Sequence, residues 1–314
     1  MLTDSEIATL RQSHYNATVV GVRRVHGSLA VLRILPDAGI PRFAPGQYTT
    51  LGLGNWELAK LDGFAETSHA SSLEHLVRRS YSFSCSILDD AANLRRPHEF
   101  PYVEFFLTLV RPTNSHRVLL TPGLFGLSEG DRLAFGPKIV GKYTLDCIRP
   151  DDDVILAATG TGEAPHNAMA AELLATGHAG RVVVVTCVRH EIDLAYLIAH
   201  RELERRHANY QYVALTTREP RNIDPSLPGY VGKRYLQEYF TAGAFERETG
   251  KQLAPLRTHV FLCGNPRMIG APVRRADGSL EYPQPKGMVE ALVERGFSVD
   301  QPNHLGNVHF EKYW

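Results

Sequence analysis

Hydrophobic positions fall into two textures along the chain. Up to about residue 145 they come as short β-branched and aromatic stretches: "NATVVGVRRV", "LAVLRIL", "GQYTTLGLG", "RSYSFSCSI", "YVEFFLTLV" and "DRLAFGP". Gly, Pro and Asp separate them, which is the punctuation of an antiparallel barrel or sandwich. Two stretches, 55–77 and 89–100, break the rhythm and are expected to be surface excursions, with a short helix in the first. After "RPDDD" the strands become fully apolar. "VILAATG", "RVVVVTCV", "YQYVALTT" and "HVFLCG" alternate with the helical stretches "APHNAMAAELLATG", "DLAYLIAHRELERRH", "GKRYLQEYF" and "GMVEALVERGF". Strands buried on both faces belong to a parallel sheet covered by helices. The expected architecture is an antiparallel β-barrel, residues 1–148, followed by a doubly wound α/β parallel-sheet domain, residues 149–314.

Composition narrows the function. The 34 basic and 34 acidic residues cancel, which argues against nucleic acid or an anionic membrane as the main partner. At 43% hydrophobic and 22% charged, the 314-residue chain has ample material for a core. Cys85, Cys147, Cys187 and Cys263 form no C-x-x-C pair. They are read as reduced thiols of a cytoplasmic protein rather than a zinc knuckle or iron–sulfur loop. The start, "MLTDSEIATLRQSHY", has no apolar core flanked by basic residues, and no apolar run reaches membrane-spanning length. No signal peptide, no membrane span and no metal are expected. His190 and His200 are ten residues apart, and they, His116 and His309 are not read as ligands or bases.

In doubly wound sheets, ligands sit beyond the carboxyl ends of the strands. Gly160-Thr161-Gly162-Glu163-Ala164-Pro165 follows the first apolar strand. It is either an ordinary strand-to-helix turn or a place where backbone approaches a phosphate at a helix start. Cys263-Gly264-Asn265-Pro266-Arg267-Met268 follows the fourth strand, where the Cys is either a small buried hydrophobe or part of a site. In the barrel half, Arg79-Ser80-Tyr81-Ser82 opens a strand. It offers a phosphate-pairing guanidinium, a ring able to stack and a hydroxyl, or simply an edge strand with a solvated Arg. Thr121-Pro122 reads as N-cap and first helical residue, which doubles as an anion site. The chain ends "FEKYW", and two large rings at a terminus need a surface to lie on.

In this order and spacing, "PGQYTTLGL", "RSYS", "GTGEAP", "CGNPRM" and "FEKYW" resemble the ferredoxin–NADP reductase family, in particular its bacterial ferredoxin/flavodoxin reductase branch, over nearly the whole chain. The resemblance implies a barrel that binds FAD and an α/β domain that binds NADP(H). It implies that Arg79 meets the FAD pyrophosphate, Tyr81 stacks on the isoalloxazine and Ser82 bonds near the reactive ring nitrogen, with Ser80 also among the FAD-binding residues. Thr121 would cap a phosphate, although "HRVLLTPGL" matches the third barrel motif only loosely. Gly160, Thr161 and Gly162 would lie under the nicotinamide nucleotide, with Gly264 and Met268 beside it. Cys263 would stand next to the transferring carbon and Glu311 would serve as a polar or proton-relay group. Tyr313 would cover the flavin, with Trp314 folding over the adenine.

The 2′-phosphate that distinguishes NADP from NAD needs fixed positive charge. Thr217-Arg218, Lys233-Arg234 and Arg189 resemble the family's site for it, with Thr217 where Ser is usual and Lys233 where Arg is common. A solvated charge run remains the other reading of Lys233-Arg234. The resemblance further implies electron exchange between NADP(H) and a separate acidic one-electron carrier, ferredoxin or flavodoxin, by a protein expected to be monomeric. Arg78, Arg95, Arg96 and Lys138 are candidates for the basic patch that would receive it. Two alternatives stay open: an NAD(P)H-dependent flavin or oxygenase reductase of the same fold, or a non-catalytic FAD-binding subunit docking through 55–77, 89–100 and 270–287.

Overall fold

The computed structural model describes residues 2–61, 74–110, 120–275, 277–300 and 305–313. The first domain begins with helix α1 (Asp4–His14), whose Thr3 and Glu6 cap each other reciprocally. Six antiparallel strands follow: β1 (Ala17–His26), β2 (Leu29–Pro36), β3 (Tyr48–Gly54), β4 (Leu76–Ser82), β5 (Val103–Thr108) and β6 (Arg132–Phe135). Their order is β4-β3-β6-β1-β2-β5. A bridge between Ser84 and Glu104 joins the chain just past β4 to β5, so the two edge strands meet and the sheet curls into a barrel. Helices α2 (Asn55–Leu58) and α3 (Leu120–Gly126) pack against β3 on the outside. The expected short helix in the first excursion is α2, while most of that excursion lies outside the described residues.

Strand β5 explains an oddity of the sequence. Antiparallel strands usually alternate apolar and polar residues, yet five of its six residues are buried. Val103, Phe105 and Leu107 face the barrel core with Val19, Leu32 and Leu51. Phe106 points the other way, into a second core shared with the neighbouring domain. The barrel therefore buries both faces of this strand.

The second domain is a five-stranded parallel sheet of β7 (Asp153–Thr159), β8 (Val182–Val188), β9 (Tyr210–Thr216), β10 (Thr258–Gly264) and β13 (Val308–Lys312) in the order β13-β10-β7-β8-β9. The exposed hairpin β11 (Val273–Arg274) and β12 (Leu280–Glu281) stands apart within 270–287. Helices α4 (Glu163–Ala175) and α5 (Leu197–Arg206) cover one face of the sheet. On the other lie α7 (Leu236–Thr241), α8 (Ala244–Thr249), α9 (Pro266–Ile269) and α10 (Met288–Val293). A short α6 (Pro220–Ile223) follows β9. Alternation sorts β10 cleanly: Phe261 and Cys263 face α4, while Val260 and Leu262 face the other helices. The first of these cores also takes in Leu29, Val31, Cys85, Ile87 and Phe106 of the barrel, so one hydrophobic core runs through the domain interface.

Several polar groups in that interface are paired, as burial favours. Glu104 on β5 is 2% exposed, accepts from the Tyr196 hydroxyl at 2.9 Å and from Arg33 Nε at 3.1 Å, and meets the Ser86 hydroxyl. His26 meets Asp193 at 2.9 Å. Arg96, in the excursion 89–100, donates to Glu172 of α4, with Nε at 3.0 Å from Oε2. That excursion thus packs on the second domain, and Arg96 is committed within the molecule rather than offered to a partner. Among the described residues no helix is long and apolar enough to cross a membrane.

Candidate active site at the domain interface

Strand β13 lies parallel to β10 with Cys263 opposite Glu311, and Tyr313 follows with its N–H donating to Gly264 O at 3.0 Å. Residues 309, 311 and 313 alternate onto the face that carries Cys263, so that face brings the chain's end to the domain interface. Tyr313 is half-buried beside the Ser82 hydroxyl at the end of β4 and the Cys263 thiol at the end of β10. Barrel and sheet thus meet on one ring. Cys263 itself is wholly buried, and burial pushes its thiol well above its ordinary value, so it is a neutral wall rather than a thiolate. Trp314 lies outside the described residues.

Glu311 is the unusual group here. Its Oε2 is buried without a hydrogen-bond partner, and burial raises its carboxyl from 4.5 to about 7. It lines a cavity of ≈ 440 Å³ with Tyr48, Lys142, Tyr143 and Asp300. A folded carboxyl that holds its proton above the unfolded value contributes stability present below about pH 4.5 and lost as pH rises through about 7. Glu311→Gln should therefore be the more stable protein at pH 8, by an amount on the order of 1–3 kcal/mol because the half-buried group still sees solvent. Melting temperatures of both proteins from pH 5 to 8.5 test this, and parallel curves would mean a solvated carboxylate.

The glycine loop after β7 is a 3-10 turn, Gly160–Gly162, running into α4. A Cβ on Gly162 would stand 2.4 Å from Cys263 O, so only glycine lets the two strand ends close on each other. Gly264 has φ +119, which glycine alone adopts without strain. Beneath the loop, Glu163 is fully buried and accepts from Tyr212 at 2.7 Å and Thr186 at 3.0 Å, with His200 Nε2 at 3.3 Å. That network pins the first turn of α4 to β8 and β9.

Arg189, Arg218 and Lys233 are exposed beyond the carboxyl ends of β8 and β9 and form no ion pair among the described residues. Backbone ties Arg218 N to Arg189 O at 2.9 Å, which brings the first two together. Thr217 is turned inward, its hydroxyl donating to Val188 O at 3.2 Å. Arg234, by contrast, pairs with Glu248 and lies over the Tyr239 ring at 5.3 Å.

Other expectations are corrected by the fold. Arg79 sits in the middle of β4 rather than opening the strand; it and Ser80 are exposed. Thr121 lies inside the first turn of α3, which begins at Leu120, and its hydroxyl bonds the Tyr81 phenol rather than capping the helix. Met268 is 4% exposed and packs in the far core with Ile269, so its side chain is structural. Arg95 is tied to Asp89 at 2.8 Å, leaving Arg78 and Lys138 as the exposed members of the supposed basic patch without an ion pair among the described residues. Conversely, the sequence reading missed Tyr143. It lies close to Cys263, Glu311 and Tyr313, and its hydroxyl meets His166 Nε2 at 2.7 Å; burial lowers His166 to about 3, which keeps it neutral. Tyr143 stands in the connection between domains, where no motif or periodicity singles it out.

An antiparallel barrel joined to a parallel nucleotide-binding-type sheet, with the chain's end wedged between them, defines a two-domain oxidoreductase. A family described as "Oxidoreductase NAD-binding domain" matches residues 156–273. A flavodoxin/ferredoxin–NADP reductase of Buchnera aphidicola (subsp. Baizongia pistaciae) is 25% identical over 254 residues, covering 81% of this chain and 86% of that protein. The toluate 1,2-dioxygenase electron transfer component of Pseudomonas putida is 25% identical over 270 residues, 85% of this chain and 64% of that one. In fold, a ferredoxin NADP+ reductase from Neisseria gonorrhoeae with bound FAD and NADP superposes at a TM-score of 0.69 with 16% identity, over 95% of this chain and 98% of the other. The chain is thus similar, in sequence over about four fifths of its length and in fold over nearly all of it, to ferredoxin/flavodoxin–NADP reductases.

Proposed function

We propose that this protein is an FAD-dependent reductase that exchanges electrons between NADP(H) and a one-electron protein carrier, ferredoxin or flavodoxin. In this reading residues 1–148 hold FAD and 149–314 hold NADP(H). The observation that supports it most is the meeting of Ser82, from the barrel, with Cys263, Glu311 and Tyr313, from the sheet, around one interface.

The residues suit both cofactors. β4 presents Arg79 and Ser80 to solvent for a pyrophosphate, with Tyr81 and the Ser82 hydroxyl further along for a flat ring. The backbone of Gly160–Gly162 and the start of α4 offer N–H groups to the phosphates of the nucleotide. Arg189, Arg218 and Lys233 are the cations free to take the 2′-phosphate. When bound, FAD would supply the chemistry of a hydride acceptor and one-electron donor. For that transfer two rings must stack at ~3–3.5 Å, so Tyr313 has to leave the space between Ser82 and Cys263. Cys263 then walls the reacting position, and Glu311 holds a proton near neutral pH within the same site. Arg78 and Lys138, exposed and without an ion pair among the described residues, are the surface cations available to an acidic carrier.

An oxygenase-type reductase is the second reading, supported by the likeness to the Pseudomonas component. The three unpaired cations beyond β8 and β9 speak for NADPH instead. One experiment separates these readings and the docking-subunit alternative. The purified protein, reconstituted with FAD, should show flavin absorbance that bleaches anaerobically with NADPH much faster than with NADH. Faster bleaching by NADH would support the second reading. No FAD uptake would overturn both, and FAD uptake without bleaching by either nucleotide would leave a docking subunit.

A further inference from the structure

Three side chains from distant parts of the sequence converge near the amino-terminal ends of β10 and β13, on the same sheet face as Cys263 and Tyr313 but toward the opposite ends of the two strands. They are Cys147, in the connection between the domains, His259 on β10 and His309 on β13. Cys147 Sγ lies 3.9 Å from His259 Nδ1 and 3.6 Å from His309 Nε2, and the two nitrogens are 3.0 Å apart. A tetrahedral zinc centre with Zn–S of about 2.3 Å and Zn–N of about 2.05 Å has edges of about 3.6 Å from S to N and about 3.3 Å from N to N. The three atoms already outline such a face to within a few tenths of an ångström.

The groups behind the ligands fit as well. His309 Nδ1 lies 2.6 Å from Asp300, and His259 Nε2 lies 3.6 Å from Asp152. Each imidazole thus has a carboxylate at the nitrogen that does not face the thiol, the arrangement that orients metal-binding histidines. Both carboxylates are themselves held by backbone: Asp300 by Gly306 N at 2.9 Å and Asp152 by Arg149 N at 2.8 Å. His309 and Asp152 are buried, whereas Asp300 reaches the ≈ 440 Å³ cavity, which gives an ion or water a way in.

We infer that Cys147, His259 and His309 form a binding site for a borderline-soft divalent cation of the zinc class, with the fourth position open to water. One sulfur and two imidazole nitrogens select zinc over magnesium or calcium, which prefer all-oxygen sites. Coordination takes the place of the proton shared between the two imidazole nitrogens and releases the thiol proton; the rings part slightly and turn toward the sulfur. The ion would tie the interdomain connection to the two strands whose far ends hold Cys263, Glu311 and Tyr313. The test needs no turnover.

The FAD-loaded protein is dialysed against ZnCl2 and then metal-free buffer, and bound zinc is measured alongside the rate of Cys147 alkylation by iodoacetamide. The expected result is one zinc per chain, slowed alkylation of Cys147, and at least a tenfold weaker affinity in Cys147→Ser, in His259→Gln and in Asp300→Asn. Cys187→Ser, far from the cluster, should bind zinc as the unaltered protein does. Absence of retained zinc, or zinc retained equally by Cys147→Ser and His259→Gln, overturns the inference; the latter would mean adventitious binding at the chain's other histidines. If Cys147→Ser fails to fold, alkylation protection in the unaltered protein and binding by His259→Gln still decide.

Discussion

Tyr313→Ser is expected to raise turnover with NADH by roughly 10- to 100-fold, measured with an artificial electron acceptor. The half-buried ring sits beside Ser82 and Cys263, where the proposed function would place a nicotinamide. Returning such a side chain to water costs about 1.5–3 kcal/mol, which any incoming nicotinamide must offset. NADPH has a 2′-phosphate to hold it while the ring is displaced, and NADH does not. Removing the ring removes the competition for both nucleotides. NADH gains a usable affinity, while NADP+ leaves more slowly and kcat with NADPH falls. Unchanged NADH turnover and unchanged NADP+ affinity would mean that Tyr313 is ordinary packing.

The second large effect concerns the choice of nucleotide. Arg218→Ala with Lys233→Ala should raise KM for NADPH by roughly 10- to 100-fold and change NADH by less than about twofold. Both side chains are exposed and without ion pairs, so their removal leaves no buried charge stranded and the fold should persist. Arg234→Ala should behave differently. Its guanidinium is held by Glu248 and the Tyr239 ring, so its loss should lower stability more than selectivity. A matching loss for NADPH and NADH in the double variant would show that these cations do not read the 2′-phosphate.

The two variants answer different questions about one site. Tyr313→Ser tests the gate at the domain interface, and the Arg218/Lys233 pair tests the anchor at the outer ends of β8 and β9. In combination they should be nearly additive in free energy, because they act on opposite ends of the nucleotide. Glu311 sits nearer the gate, so the Glu311→Gln pH profile should carry over into Tyr313→Ser with its midpoint lowered toward 4.5, as solvent reaches the carboxyl.

Much of this molecule was written locally. The apolar stretches from "NATVVGVRRV" to "DRLAFGP" overlap all six barrel strands, although β4 begins three residues before "RSYSFSCSI", and the apolar runs after residue 150 overlap four of the five parallel strands, because strand burial leaves a period that neighbouring residues carry by themselves. The glycines of "GTGEAP" and "CGNPRM" marked two strand ends as places where backbone must come close to something; that Gly162 closes on Cys263 is seen only in the fold. The tail was read for its rings. That Val308–Lys312 is also a strand escaped notice, since "VHFEK" alternates too briefly to separate from a loop.

What the sequence by itself determined, then, is the two-domain order, the strands and the residue types able to meet phosphate and flat rings. Tertiary structure alone decided which of them meet. It turned Met268 into a core and bound Arg96 to Glu172 across the interface. It put Tyr143 beside Glu311 and gathered Cys147, His259 and His309 from positions up to 162 residues apart. Periodicity reports how each segment faces its own core, whereas side chains on different segments become neighbours only through sheet order and domain packing, which no single stretch of chain encodes.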